Sequence, residues 1–126
     1  MILPTDPAER KRVPLFTGCL AYFPRALAEV AKVSREGNEQ HHPGAPLHWD
    51  KSKSTDHLDA LARHLVDSLD PAHDRVQTLA QVAWRALAEL ETYCESTPEL
   101  IPQESTCRLS KILGQAELVD SMEHAP

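Results

Sequence analysis

Apolar residues recur at helical spacing in three separate segments, and this periodicity is the strongest constraint on the fold. Ala and Leu, which favour helices, dominate these segments, whereas the runs of Val, Ile, Thr and Tyr that are typical of strands are missing. The longest stripe consists of Val76, Leu79, Ala80, Ala83, Leu87, Leu90 and Cys94. The sequence therefore predicts an all-α fold, in which this stripe belongs to the main core helix.

The chain has 126 residues, enough for one domain with one core, and we expect a single four-helix-bundle-type domain over residues 1–126. Residues 1–13 predict an irregular N-terminal arm, and residues 98–126 a C-terminal extension. A bundle this small buries little core per chain, so we expect a homodimer or homotetramer to complete it. The predicted helices span about residues 24–40, 56–69, 73–95 and 105–114.

The net charge of −6 argues against a general nucleic-acid-binding protein and against binding to anionic membranes. An anionic small substrate is compatible with this charge if divalent cations mediate the contact. No stretch approaches the roughly 18 apolar residues that a membrane span needs, and no secretory signal is visible. Three widely spaced cysteines are typical of reduced thiols, so we expect a cytoplasmic protein.

Polar side chains concentrate where the first long predicted helix ends. Glu36 and Glu39 lie three residues apart on one helix face. A loop over residues 41–55 follows, and such long loops are usually either functional or disordered. Trp49 argues for order in this loop and is a candidate to stack on a base, while Lys53 is a candidate for phosphate contact.

Acidic residues also line the next predicted helix, on the side opposite its leucines. The stripe contains Asp56, Asp59, Asp67 and Asp70. Aspartates are poor helix formers and repel one another, so helix propensity does not explain them, whereas a divalent cation would.

Two helices joined by a loop run roughly antiparallel if they pack as neighbours, which brings the end of the first beside the start of the second. Each then contributes a pair of carboxylates spaced i, i+3, and two such pairs suit Mg²⁺ or Mn²⁺. These ions bridge triphosphate oxygens and lower the pKa of an attacking water. The predicted metal ligands are Glu36, Glu39, Asp56 and Asp59.

The order of these pairs carries a family resemblance. An ExxE motif, sixteen intervening residues and an acidic-xx-Asp pair resemble the MazG-like all-α nucleoside triphosphate pyrophosphohydrolases. Residues 14–91 look more specifically like the phage-encoded dATP/dGTP diphosphohydrolases, the MazZ-type enzymes associated with 2-aminoadenine DNA. The short sequence motifs that carry this resemblance are GNEQH, LHW, KSTD, RH and AWRALA.

The resemblance implies hydrolysis of a purine deoxynucleoside triphosphate, dGTP or dATP, between its α and β phosphates. It implies two or three Mg²⁺ or Mn²⁺ ions, with Glu36 and Glu39 catalytic as well as metal-binding, and the host-cell cytoplasm as the location if the protein is phage-encoded. The parent family has Glu where this chain has Asp56, so the i, i+3 pair of His64 and Asp67 offers a competing metal register. The implied substrate-binding residues are Asn38, Trp49, Lys53, Arg63, His64 and Asp67.

Two other interpretations stay open. Charged stripes on helices are commonly solvated faces, so the chain is alternatively a non-catalytic helical interaction module. A zinc protein is the second alternative, although its four histidines lack cysteine partners and a rigid spacing. They are His41, His42, His48 and His57.

Overall fold

A computed structural model of the chain describes residues 2–97, and this range contains helices and no strand. The helices are α1 (Pro7–Lys11), α2 (Pro24–His41), α3 (His57–Asp67) and α4 (Arg75–Ser96), with a π-helical turn over Phe16–Leu20. Met1–Glu95 form one compact unit. The predicted all-α fold is confirmed, and the predicted helix at residues 105–114 lies outside the described residues. Within the described range no helix has both the length and the apolarity that crossing a membrane requires.

Neighbouring side chains fix where the helices begin and end. α4 begins two residues after its predicted start because Asp74 caps it, accepting hydrogen bonds from the backbone N–H of Val76 at 2.9 Å and of Gln77 at 3.2 Å. α3 ends two residues early, where Ser68 Oγ donates to the Leu65 carbonyl at 2.6 Å.

The N-terminal arm, predicted to be irregular, contains one short helix. Pro7 suits the first helical position, since its missing N–H leaves no donor unpaired there. Asp6 precedes it and accepts a hydrogen bond from the Glu9 N–H at 3.0 Å. None of the residues of α1 is buried, so the helix is held by its own caps.

The faces through which the long helices pack carry small or polar side chains. The buried residues are Asn38, His57, Ala60, Ser68, Thr78, Ala80 and Ala88. Hydrogen bonds join α4 to α2: Trp84 Nε1 donates to Ser34 Oγ at 2.7 Å, and Gln77 Nε2 donates to Glu36 Oε2 at 3.1 Å. The apolar members of the buried set are alanines, so the helix contacts of this single chain depend on close approach and polar pairing.

Most of the large apolar residues predicted for the core lie at the surface. We define an apolar face on α3, the turn that follows it, and α4, whose members are between 42% and 76% exposed: Leu58, Leu65, Val66, Leu69, Val76, Leu79, Leu87 and Leu90. The prediction that α4 is the core helix through its apolar stripe is therefore wrong for the single chain, because only Ala80 of that stripe is buried. α4 packs instead by the face that carries its polar pairing groups.

Replacing Ala60 by Leu tests the buried face of α3. Ala60 is 3% exposed, so the larger side chain overpacks the contact, and the free energy of unfolding should fall by about 1–3 kcal/mol. Ala62→Leu, at an exposed position of the same helix, should change it by less than about 0.5 kcal/mol. Urea unfolding at one fixed protein concentration measures both variants, and equal effects would contradict this packing.

Candidate functional site

The loop between α2 and α3 is held against α2 by a buried asparagine. Asn38 is 7% exposed, its Nδ2 donates to the Ala45 carbonyl at 3.0 Å, and its Oδ1 accepts the His48 N–H at 3.4 Å. Gly44 lies in this bend with φ at 77°, a conformation that L side chains rarely adopt. Both ends of the amide are engaged with the loop. The structure thus places Asn38 as a positioning residue, and these contacts do not support its predicted role in substrate binding.

The second half of the loop is tied to α4. Lys51 forms an ion pair with Glu95, and this hydrogen bond lowers the pKa of Glu95 below its ordinary value. Lys51 Nζ also lies 4.9 Å from the ring centroid of Trp49. Trp49 packs edge-on against Trp84 and His57, with ring centroids 5.6 Å and 6.4 Å away. We call Trp49, His57 and Trp84 the aromatic cluster.

A depression of about 260 Å³ opens beside the aromatic cluster. Its lining residues come from α2, the loop and α4: Val30, Ser34, Trp49, Trp84, Leu87, Ala88, Leu90 and Glu91. Indole rings, one hydroxyl and one carboxylate together suit a flat ring with polar edges. Trp49, predicted to stack on a base, therefore lies beside a second indole, Trp84, which sequence pattern alone places in a core or an interface.

The two glutamates predicted as metal ligands lie in the last turns of α2, and both are exposed. Glu36 is held in place because its Oε2 accepts the hydrogen bond from Gln77 of α4. Glu39 forms no hydrogen bond or ion pair with any side chain of residues 2–97. The pair thus consists of one fixed and one unengaged carboxylate.

The two aspartates predicted as metal ligands lie at the start of α3. Asp56 accepts hydrogen bonds from Arg63 Nη2 at 2.9 Å and from Ser54 Oγ at 3.1 Å. These two bonds lower the pKa of Asp56 below its ordinary value, which favours the ionised carboxylate. A shallow groove of about 460 Å³ runs past the other aspartate and is lined by Asp59, Ala62, Arg63, Val66 and Asp67.

The chemistry of these four carboxylates fits Mg²⁺ or Mn²⁺, because hard cations prefer oxygen ligands. Their arrangement within one chain does not by itself make a site. Residues 2–97 contain no group of three or more His, Cys, Asp or Glu side chains placed to hold a metal ion. The metal set stays a prediction, and completing it needs donors from outside the described residues.

The pair that offers the competing metal register lies on the half-buried side of α3. Burial and the positive charge of Arg85 lower the pKa of His64 below its ordinary value, which favours the neutral ring. Asp67 Oδ1 lies 3.9 Å from His73 Nε2, close enough for an ion pair when that histidine is protonated. Asp67 acts on the pKa of His64 in the opposite direction, so the two side chains interact with one another, and each also has a neighbour of its own.

The loop histidines do not assemble the zinc site of the alternative interpretation. The rings of His42 and His48 lie 4.6 Å apart, whereas His57 is in the aromatic cluster. Burial, Lys53 and His48 together lower the pKa of His42 below its ordinary value. Lys53 itself is exposed in the loop, where it is accessible to a ligand.

One polar contact joins the loop, α3 and α4, and the sequence predictions do not include it. Arg85 Nη1 donates to Ser54 Oγ at 2.8 Å and to His57 Nδ1 at 3.1 Å. The guanidinium also lies 5.5 Å from the ring centroid of Trp84. The sequence does carry a pattern that indicates a polar face on α4. Polar residues recur every four positions from Gln77 to Arg85, on a different side from the apolar stripe.

Comparison with known families yields a match over most of the chain. The family described as dATP/dGTP diphosphohydrolase, N-terminal, matches residues 6–100 of the 126. Searches among curated proteins and among solved structures found no match. The matched range includes α1 to α4 and every candidate site residue named above. It confirms, at the level of the family, the resemblance found in residues 14–91.

Replacing Asn38 by Ala tests how the loop is held. The change leaves the Ala45 carbonyl and the His48 N–H without their partner, so the free energy of unfolding should fall by about 1–3 kcal/mol. The emission of Trp49, measured in a Trp84→Phe background, should shift to longer wavelength as the loop loosens. Gln40→Ala, an exposed neighbour on α2, is the control. An unchanged Trp49 emission would contradict the holding role of Asn38.

Proposed function

The chain belongs to the dATP/dGTP diphosphohydrolase family, and from this membership we propose that it is a nucleoside triphosphate pyrophosphohydrolase. The proposed substrate is dGTP, with dATP as the alternative. Water attacks the α-phosphorus, the bond from that atom to the oxygen bridging to the β-phosphate breaks, and the products are the monophosphate and pyrophosphate. The family match over residues 6–100 is the observation that carries this proposal.

The two glutamates of α2 receive different roles in the proposed reaction. A general base needs a carboxylate oxygen that no other group occupies, and a carboxylate with both oxygens unengaged can place one on a metal ion and the other on the water. Glu36 already accepts a hydrogen bond from Gln77, whereas Glu39 has no such contact within residues 2–97. We therefore assign Glu39 to orient the attacking water and to accept its proton, with Glu36 fixed beside it.

Metal binding is part of the proposal. The residues that would hold two or three Mg²⁺ or Mn²⁺ ions are Glu36, Glu39, Asp56 and Asp59. When bound, such ions neutralise charge that develops on the phosphates. Arg63 and Ser54 hold the Asp56 carboxylate at the start of α3 through their hydrogen bonds, and this fixed position supports its role as a ligand.

The remaining predicted residues are assigned to the substrate. Lys53 and Arg63 carry exposed positive charge for phosphate contacts. The neutral ring of His64 and the carboxylate of Asp67 are kept as polar contacts beside the groove on α3. Trp49 would stack on the purine in the depression, with Trp84 beside it.

A carboxylate in that depression supports guanine over adenine. Glu91 belongs to its lining and offers only acceptor atoms when ionised. Guanine presents two N–H donor groups on its Watson–Crick edge, whereas adenine presents one, so the acceptor matches guanine better. The likeness to MazZ-type enzymes extends the proposal to the removal of purine nucleotides in cells that make 2-aminoadenine DNA. Mass spectrometry of nucleosides from the DNA of the source organism would test this extension by detecting 2-aminoadenine.

We also propose that a second copy of the chain covers the apolar face of α3 and α4. Eight large apolar side chains of that face are exposed, and a helix face with this many exposed apolar side chains favours an interaction site. Within residues 2–97 the predicted metal set lacks a third neighbouring donor, which a partner carboxylate would supply. Together these two observations favour a homodimer or homotetramer whose site is shared between copies.

Replacing Glu39 by Gln tests the proposed reaction. The amide keeps the shape of the side chain but cannot take the proton, so kcat for pyrophosphate release should fall about 100-fold or more. Glu29→Gln, on the same helix and paired with Lys32 at 2.8 Å, should stay within about twofold of wild type, since exposed pairs contribute little.

The measurement is pyrophosphate release with Mg²⁺ or Mn²⁺, screened across the eight common ribo- and deoxynucleoside triphosphates. The screen should show dGTP as the preferred substrate. Release of orthophosphate instead, or an unchanged rate in Glu39→Gln, would contradict the proposal. No hydrolysis of any triphosphate would favour the helical interaction module.

Light scattering of the full chain tests the shared site. Wild type should be a dimer or tetramer, and Leu79→Glu, on the apolar face but outside the lining of the depression, should shift it toward monomer. Leu47→Glu makes the same change at an exposed leucine of the loop and should leave the oligomer intact. A monomeric wild type with full activity would rule out a site completed by a second copy.

A further inference from the structure

Arg85 differs from the other cations of the described range. It forms no ion pair with a carboxylate there, and it is half-buried. The remaining arginines and lysines of residues 2–97 that lack an ion pair are all exposed to water. A positive charge taken partly out of water without a counter-charge is unfavourable, and an anionic ligand would compensate it.

The guanidinium of Arg85 is fixed in orientation by three neighbours. Its Nη1 atom carries two hydrogens, and these are used by Ser54 Oγ at 2.8 Å and His57 Nδ1 at 3.1 Å. The ring of Trp84 lies 5.5 Å from Cζ. Guanidinium has five N–H groups in one plane, so three remain on Nε and Nη2, with no acceptor among residues 2–97. That edge has the two-pronged geometry that matches two oxygens of a phosphate group.

His57 helps to hold the guanidinium of Arg85, but one of its own ring nitrogens is left without a hydrogen-bond partner in the described range. Because Nδ1 accepts from Arg85, the proton of the neutral ring is on Nε2. Nε2 is buried and has no hydrogen-bond partner in the described range, and the residue is 3% exposed. An unpaired buried donor is unfavourable. The position of this ring is therefore explained by its hydrogen bond with Arg85 and by its packing against Trp49 and Trp84.

A chain of hydrogen bonds connects Arg85 to the proposed reaction site. Ser54 Oγ accepts from Arg85 and donates to Asp56 Oδ1 at 3.1 Å. Asp56 in turn accepts from Arg63, which is assigned to phosphate contact. The charge of Arg85 also acts on His64, where it helps to lower the pKa of the ring.

We propose that Arg85 binds a phosphate group through its Nε–Nη2 edge while its Nη1 positions Ser54. The phosphate belongs to the triphosphate chain of the substrate or to the pyrophosphate product. This assignment rests on the proposed function and adds a phosphate-binding residue to it. Lys53 and Arg63 approach from the loop and from α3, whereas Arg85 supplies a contact from α4.

Isothermal titration with inorganic pyrophosphate tests the contact, both in EDTA and with Mg²⁺. Arg85→Gln should weaken pyrophosphate binding about tenfold or more, because a charge-assisted, two-pronged contact is lost. Arg25→Gln removes the same charge from an exposed position near the start of α2 and should leave binding unchanged. Ser54→Ala keeps the guanidinium and should bind within about threefold of wild type, since it removes only a neutral hydrogen bond.

Arg85→Lys is the second variant if Arg85→Gln does not give a cooperative thermal melt. It keeps the charge but offers no planar edge, so pyrophosphate binding should weaken at least about threefold. Wild-type affinity in Arg85→Lys would overturn the two-pronged contact. A loss in Ser54→Ala as large as that in Arg85→Gln would also overturn it, because the effect would then act through Asp56.

The KM for dGTP identifies the source of the phosphate. A raised KM together with weakened pyrophosphate binding in Arg85→Gln assigns the contact to the triphosphate chain, and weakened pyrophosphate binding alone assigns it to the product. Unchanged pyrophosphate binding in Arg85→Gln overturns the inference, while dGTP hydrolysis by wild type still supports the proposed function. If wild type binds pyrophosphate through Arg85 but hydrolyses no triphosphate, the phosphate site stands and the proposed function fails.

Discussion

Hydrogen bonds between the inward faces of the helices determine the arrangement of everything else in the described part of the chain. Trp84 pairs with Ser34, and Arg85 pairs with Ser54 and His57, so α4 is joined to α2, to the loop and to α3 at specific positions. Buried polar groups are costly unless their partners are in place. The register of these helices is therefore set by which polar groups can meet, and the intervening contacts are made by alanines.

The positions of the helices follow from local sequence, and their orientation does not. α2 was predicted over residues 24–40 and spans Pro24–His41, because its periodicity and Pro24 are local signals. An apolar stripe shows that some surface must be covered, but it has the same pattern whether its partner is the chain's own core or another molecule. This is why the stripe of α4 predicts a buried helix, although Leu79, Leu87 and Leu90 are exposed.

The candidate site likewise has some residues that local sequence predicts and others that only the folded chain shows. Glu36 and Trp49 are predicted from spacing and loop composition, because those signals lie within a short segment. Arg85 and Ser54 are 31 positions apart in the sequence, and neither residue type predicts contact with the other. The contact is therefore visible only in the folded chain. Asn38 shows the reverse: its type suits base recognition, but its amide is engaged with the loop.

The inward faces that pack the helices also carry Arg85 and the aromatic cluster beside the depression, and this affects how the protein can be altered. Replacing a complete set of buried polar partners by well-packed apolar groups is often neutral or stabilising, so selection for stability alone would favour exchanging Arg85, Ser54 and His57 together for apolar residues. Such variants would be more rigid and would lose the ligand-binding groups. In this chain, thermal stability is therefore a poor guide to retained activity, and engineering should leave these inward polar positions untouched.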